Sequence, residues 1–233
     1  TALVRAEDNL DVNVPGTHHI VYSVVNASGL AAEEVFRTIV VNDLNDAPFT
    51  NQVETFLSNI SEDTGDDNPG DVVSSLVEGI TDLDSNDPPG LALVAKDETN
   101  GVWQFSLDGG ETFIEVGPIS EQAALLLRAD DQLTLLRFVP QGQFHDSASI
   151  TFRAWDQTVG ENGERQTLGS VGGRSAFSSD KAPATITVTP RADAPHFTTS
   201  PTIECKVFEP YSYHVVVQEP DDETFILESG ALP

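Results

Sequence analysis

The chain has 233 residues, of which 38 are acidic and 11 are basic, and its formal net charge is −27. This charge argues against binding to nucleic acids or anionic membrane surfaces, because both attract cationic protein faces. No apolar run reaches the roughly 18 residues that a membrane-spanning helix needs. The single cysteine excludes an internal disulfide, and the 39% hydrophobic content suits one large domain or two to three small ones.

Alternating apolar and polar residues predict strands through most of the chain. The first two cover residues 19–25 and 35–41 and are joined by the turn residues of Asn26-Ala-Ser-Gly29. Further predicted strands cover residues 72–73, 91–94, 102–107, 112–116, 133–139, 149–155 and 184–189. Short strands separated by turn residues at this spacing predict an all-β chain of tandem antiparallel β-sandwiches.

Three segments between the strands have different signals. Asp108-Gly109-Gly110 predicts a hairpin turn. Residues 120–127 read as a helix of two turns at most, with Ser120 as a possible N-cap. The Gly- and Ser-rich residues 157–183 predict a long hairpin loop.

The two tryptophans have two possible roles. Trp103 and Trp155 could stack on sugar rings from an exposed position. The alternative is a place in the core, which we favour because Trp103 and Phe105 alternate with the polar residues Gln104 and Ser106.

Two related segments suggest domain boundaries. "VVNDLNDAPF" at residues 40–49 closes a β-branched run with Asx residues and a proline. "VTPRADAPHF" at 188–197 is a similar segment with fewer Asx residues. A proline cannot donate to a strand ladder and presets an extended start to the next domain. The predicted domains are therefore residues 1–46, 47–193 and 194–233, of which only the second is complete.

These segments resemble known surface modules. "VPGTHHIVYSVVNASGLAAEEVFRTIVV" resembles the second half of a bacterial immunoglobulin-like repeat. "ISEDTGDDNPG", "ITDLDS", "NGVWQFSLDGGETF", "LRFVP" and "ITFRAWDQT" are similar to the cadherin-like repeats of very large bacterial surface proteins. "PHFTTSP" and "EPYSYHVVVQEPDDETFILESGALP" resemble the first half of a cadherin-like or immunoglobulin-like domain.

The resemblance implies calcium at the domain junctions. Cadherins hold Ca²⁺ with an Asp-x-Asn-Asp-Asn-Ala-Pro linker and with acids of the flanking domains, and Ca²⁺ takes six to eight oxygen ligands. The ligands implied at the first junction are Asp43, Asn45, Asp46, Asp82, Asp84 and Asp156. This linker departs from the family by one residue, since it lacks the Asn before Ala-Pro.

The match is weaker at the second junction. The ligands implied there are Glu62, Asp193, Asp221 and Asp222. Arg191 stands where the family pattern has an acid, and a cation there disfavours a metal. The alternative for both junctions is that these acids are ordinary turn residues of a very acidic chain.

The function implied is that of a segment of an exported, extracellular cell-surface protein. It would be a calcium-stiffened stalk or extender in adhesion or matrix contact, and its partners would be neighbouring repeats and a surface protein or polysaccharide. Two alternatives stay open: a carbohydrate-binding cadherin-like module, and a subunit of an extracellular filament whose partial end modules are completed by neighbouring chains. We predict no enzyme, because the sequence has no nucleophile elbow, phosphate loop or zinc-spaced histidines.

Overall fold

A computed structural model describes residues 3–8, 10–51, 54–84, 88–97, 99–129, 132–194, 196–200, 204, 206–208, 210 and 217–218. The chain divides into two compact units, Thr1–Asp46 and Ala47–Pro233. Regular structure in the described residues consists of strands and two short 3₁₀ helices, so the predicted all-β class is confirmed. In this part of the chain, no helix has the length and apolarity needed to cross a membrane.

The first unit contains a three-stranded antiparallel sheet. Its strands are β1 (Leu3–Asp8), β2 (Gly16–Val25) and β3 (Val35–Val41), paired in the order β1-β2-β3. The two strands predicted here are confirmed. The turn after β2 forms as its sequence predicts, because the Asn26 side chain accepts the N–H groups of Ser28 at 3.0 Å and Leu30 at 2.9 Å.

The second unit is a β-sandwich followed by one short ladder. Among its described residues, the strands are β4 (Thr55–Phe56), β5 (Ile60–Ser61), β6 (Asp71–Val72), β7 (Gly90–Lys96), β8 (Gly101–Ser106), β9 (Ile114–Glu115), β10 (Ala124–Arg128), β11 (Leu135–Pro140), β12 (Ser147–Trp155), β13 (Arg165–Gln166), β14 (Ala182–Thr189), β15 (His196–Phe197) and β16 (Val217–Gln218). One sheet has the order β13-β10-β7-β12-β14-β4, with β5 also on β14, and the other has the order β6-β11-β8-β9. The 3₁₀ helices cover Glu62–Asp67 and Val73–Leu76.

The main core lies between these two sheets. Trp103 from β8 is fully buried, and its ring centroid lies 5.2 Å from that of Phe138 on β11. The indole N–H of Trp103 donates to the carbonyl of Asp97 at 2.8 Å, so burial leaves no polar group unsatisfied there. The seven-stranded sheet adds Leu91, Leu93, Leu125, Leu127, Ile150, Phe152, Ala184, Ile186 and Val188.

A second, smaller core covers the outer face of the seven-stranded sheet. The connection between β12 and β14 packs Leu168, Ala176 and Phe177 against this face. The sheet side contributes Ala92, Val94, Ala124, Leu126 and Trp155. Both tryptophans are therefore core residues, as predicted. The segment predicted as a hairpin loop does join antiparallel neighbours, and it also covers the sheet.

The helix predicted over residues 120–127 is wrong. Residues from Ala124 onward form β10, which pairs with β7 on one side and β13 on the other. Leu125 and Leu127 face the main core while Ala124 and Leu126 face the second core, so the strand is apolar on both faces. A strand covered on both faces loses the polar–apolar alternation that would distinguish it from a buried helix.

The last long strand of the sandwich runs parallel to its first segments. β14 pairs with β4 (Ala184 opposite Thr55) and with β5 (Thr189 opposite Ser61). Because parallel strands point the same way, the chain enters the sandwich at one end and leaves it at the other, about 20 Å further along the ladder. We call these the arrival end, near residues 47–55, and the departure end, near residues 189–193.

Candidate functional site

The predicted linker ligands directly follow β3 in the first unit. The side chain of Asp43 is exposed, and its Oδ1 accepts the N–H of Leu44 at 3.1 Å. Asn45 and Asp46 are half-buried, and the Asn45 side-chain amide donates to the carbonyl of Asp46 at 3.3 Å. These are local contacts of the kind that Asx residues make in turns.

Backbone hydrogen bonds hold the arrival end of the second unit. The N–H of Ala47 donates to the carbonyl of Gly173 at 2.8 Å. Phe49 and Thr81 then form an antiparallel bridge and exchange two hydrogen bonds, at 2.8 and 3.0 Å. The chain is therefore already part of the second unit at Ala47, before its first strand begins.

Three predicted ligands lie at this arrival end. Asp82 follows Thr81, and its Oδ1 accepts the N–H of Asp84 at 3.0 Å. Asp156 follows the end of β12 and is 2% exposed, and its Oδ1 accepts the N–H of Thr158 at 2.8 Å and the Thr158 hydroxyl at 2.6 Å. Folding thus places at the same end of the sandwich acids that are more than seventy residues apart in the sequence.

These acids do not make a metal site by themselves. Within the described ranges, no three Asp, Glu, His or Cys residues form a group that could hold a metal ion. The predicted first-junction set takes Asp43, Asn45 and Asp46 from one unit and its other ligands from the second unit. Calcium at this junction stays a prediction.

The departure end is organised around Glu62. Its side chain is fully buried, and Oε1 accepts the backbone N–H of Arg191 at 2.6 Å. Oε2 lies 3.3 Å from Nδ1 of His145, which also lies 3.0 Å from the carbonyl of Gln143.

The sequence around Glu62 explains its position. Ser61 ends β5 and caps the following 3₁₀ helix, with its hydroxyl 3.4 Å from the N–H of Asp63. Thr64 completes the capping box, because its hydroxyl oxygen accepts the N–H of Ser61 at 3.1 Å. The capping box turns the chain sharply after the strand, and this turn directs the Glu62 carboxylate inward.

Further polar contacts fix the segment that follows β14. Nε of Arg191 lies 3.7 Å from the Asp63 carboxylate, and the Gln143 amide donates to Asp193 Oδ2 at 2.8 Å. Glu62 and Asp193, both predicted metal ligands, thus meet protein donors here. Asp221 and Asp222, the other two predicted ligands of the second junction, lie outside the described residues.

The hydrogen-bond partners of Glu62 could not be recognised from the sequence. The Arg191 N–H is 129 positions away and His145 is 83 positions away. A backbone donor has no side-chain signature, and no local spacing relates these residues. The capping sequence of residues 61–64 was the one local signal that this carboxylate is fixed in position.

A groove of about 530 Å³ lies beside the four-stranded sheet, between the 3₁₀ helix Glu62–Asp67 and the β8–β9 turn. Arg137 lines the groove, and its guanidinium lies 3.6 Å from the ring centroid of Phe113. The same group donates at 2.8 Å to Gln104 Oε1 and to the carbonyls of Asp66 and Asn68. Burial lowers the pKa of Arg137, and the charge of Asp66 opposes this shift. The guanidinium joins the helix to β11, so we read the groove as structural.

Comparisons with known proteins gave one structural likeness. No family model matches the chain, and no curated protein matches it. A solved structure entitled "Protocadherin gammaB7 EC3-6 cis-dimer structure" aligns with 95% of this chain at 17% identity and a TM-score of 0.40. The alignment covers 49% of that structure's chain, so this chain spans about half of its length. At this TM-score the likeness carries no argument about function.

Proposed function

We propose that the chain is a repeat segment of an exported cell-surface protein, where it acts as a stalk or extender in adhesion or matrix contact. The parallel pairing of β14 with β4 and β5 carries this proposal. A module whose chain arrives and leaves at opposite ends can be joined in line with similar modules, and each added module lengthens the array. Its natural partners are the neighbouring repeats of the same protein.

Two further observations support a structural rather than a sugar-binding role. Trp103 and Trp155 are 0% and 1% exposed, so neither indole can stack on a sugar ring. The net charge of −27 keeps such a segment soluble and disfavours collapse of neighbouring segments onto one another. The sequence resemblance to cadherin-like surface repeats agrees with this role.

We further propose that Ca²⁺ stiffens the first junction through the linker acids and the arrival-end acids. The ligands are Asp43, Asn45, Asp46, Asp82, Asp84 and Asp156. All six offer side-chain oxygens, the donor type that Ca²⁺ prefers, and Mg²⁺ is less suited because it gives up its water reluctantly. Bound calcium would offset the repulsion between these carboxylates and reduce motion at the junction.

The test is a calcium titration of the whole chain by calorimetry, together with thermal melting. Saturable binding is expected, and calcium at a hundred times its Kd should stabilise the folded state by about 2.7 kcal/mol. Asp46→Ala should weaken binding, whereas Asp66→Ala is the matched control because that carboxylate is 84% exposed and outside the predicted set.

A second arm tests the stalk itself. Fluorescent labels, one in each unit, would report the distribution of distances between them with and without calcium. A narrower distribution with calcium supports a stiffened stalk. Absence of saturable binding, or an equal effect from sodium chloride, would overturn the calcium proposal.

A further inference from the structure

A continuous seam joins the first and last segments of the sandwich. It begins where Ala184 pairs with Thr55 and ends in the ladder where Thr189 pairs with Ser61. Between these pairs, the N–H of Leu57 donates to the carbonyl of Thr185 at 2.9 Å. The Thr189 hydroxyl adds a bond to the carbonyl of Ile60 at 3.1 Å.

Glu62 extends this seam beyond the end of the strand. Pro190 follows β14 and has no N–H, so Arg191 provides the first backbone donor after the ladder. That N–H lies 2.6 Å from the buried Glu62 carboxylate. A hydrogen bond to an ionised acceptor is about twice as strong as a neutral one.

We infer that Glu62 closes a shear clamp that resists tension at the departure end. Tension along the chain pulls β4 and β5 toward the arrival end and pulls β14 toward the departure end. Since these segments are parallel, the force acts along them and loads all the bonds of the seam together. The Arg191–Glu62 bond is the bond of this seam nearest to the point where the force enters β14, so it must break before the ladder can slide.

The family resemblance implies that Glu62 binds a metal, but in the clamp its carboxylate meets hydrogen-bond donors of the protein instead. Oε1 of Glu62 takes the Arg191 N–H and Oε2 faces His145. The clamp therefore holds without a divalent cation. It is a property of the folded second unit and is independent of the calcium and localisation proposals above.

The test is single-molecule pulling on the full chain through handles at its two termini. The unfolding event of the sandwich is recognised by its released length of about 480 Å. The 147 residues of 47–193 span about 500 Å at about 3.4 Å per residue, and their ends are about 20 Å apart in the folded unit. A matched pair of variants isolates the hydrogen bond from the Arg191 N–H to Glu62. Arg191→Pro removes the N–H together with the side chain, whereas Arg191→Ala removes only the side chain, which is 68% exposed.

Arg191→Pro is expected to raise the unfolding rate at zero force by about tenfold or more relative to Arg191→Ala, the kinetic equivalent of one lost charge-assisted hydrogen bond. Glu62→Ala should have a similar effect, and the double variant Glu62→Ala/Arg191→Pro should add little. Glu78→Ala, at an exposed turn, is the control for loss of an acid.

Amide hydrogen exchange provides a second readout that does not depend on pulling. The Arg191 amide should be protected in the wild-type chain and in Arg191→Ala. Equal unfolding rates for Arg191→Pro and Arg191→Ala, or an unprotected Arg191 amide in the wild-type chain, would overturn the clamp. The difference between Arg191→Pro and Arg191→Ala should persist after calcium is chelated, and its disappearance would overturn the clamp's independence of metal. Failure of calcium to bind the chain at all would overturn the calcium proposal and leave the clamp intact.

Discussion

Trp155 and Phe177 form an isolated antiparallel bridge that fixes the β12–β14 connection to the outer face of the seven-stranded sheet. Phe177 is 3% exposed, and the indole N–H of Trp155 donates to the carbonyl of Val159 at 2.7 Å. The connection is therefore held by packing and by a partly buried hydrogen bond. It covers the side of the sheet that a simple two-layer sandwich would leave in solvent.

The first prediction concerns this second core. Phe177→Ala should lower the free energy of unfolding by about 3 kcal/mol, because it removes a buried aromatic side chain and leaves a cavity. Urea denaturation measures the change. Val159→Ala is the matched control in the same connection, since Val159 is 49% exposed and its truncation should cost less than about 0.5 kcal/mol. Equal effects of the two variants would mean that the connection adds no packing energy.

The second prediction concerns Arg137. Arg137→Lys should destabilise the sandwich by about 2 kcal/mol, because one ammonium group cannot replace three directed bonds and the stack on Phe113. Urea denaturation measures the change in the free energy of unfolding. Hydrogen exchange should show that amide protection is lost first in Glu62–Asp67, the helix that this guanidinium holds. Arg174→Lys, at an exposed position, should change neither. Unchanged exchange in the helix would contradict the joining role of Arg137.

Local sequence patterns were enough to predict a strand correctly where only one face of that strand packs against the core. On β8, Trp103 and Phe105 are buried and Gln104 is only half-buried, so the period of two was visible in the sequence. The Asp108-Gly109-Gly110 turn was also recognisable, because each glycine has a positive φ, at 78° and 92°. Both features depend only on residues close in sequence.

Other features could not be read from the sequence because they depend on distant partners. The sequence of β10 lacks polar–apolar alternation because residues 157–181 cover the second face of this strand, and an apolar run without alternation resembles a buried helix. The resemblance to cadherin-like repeats implied acids from distant parts of the sequence at both ends of the sandwich, and their binding of calcium stays a prediction. What Glu62 binds could not be identified, because its partner is a backbone N–H from the other end of the domain.

The third prediction concerns the close approach of β8 and β11. A Cβ at Gly101 would clash with the ring of Phe138 and lie 2.5 Å from the carbonyl oxygen of Val139. Gly101→Ala should therefore cost about 3 kcal/mol through forced shifts in the core. The comparison is Gly142→Ala, where no atom lies within 4 Å but φ is +64°, so only backbone strain of about 1 kcal/mol is expected. If the two costs were equal or reversed, close packing at Gly101 would be refuted.

The fourth prediction concerns Asp108, whose carboxylate organises the β8–β9 turn. The Thr112 hydroxyl donates to it at 2.6 Å and the Ser106 hydroxyl at 2.7 Å, and the Thr112 N–H adds a bond at 2.9 Å. These donors, chiefly the Thr112 side chain, lower the pKa of Asp108 to about 2. Since the folded pKa lies below the unfolded value of about 3.9, ionised Asp108 stabilises the fold above about pH 4. That contribution is lost as the pH falls from about 4 through about 2.

Carboxyl-carbon NMR during an acid titration measures the Asp108 pKa directly. Thr112→Val removes the largest cause of the shift, so the pKa should rise toward its ordinary value of 3.8. The same variant should flatten the dependence of unfolding free energy on pH in this window. Thr99→Val is the matched control, because Thr99 lowers the pKa of Asp97 in another turn and should leave Asp108 unchanged. A wild-type Asp108 that titrates near pH 4 would show that these hydroxyls do not hold its carboxylate in solution.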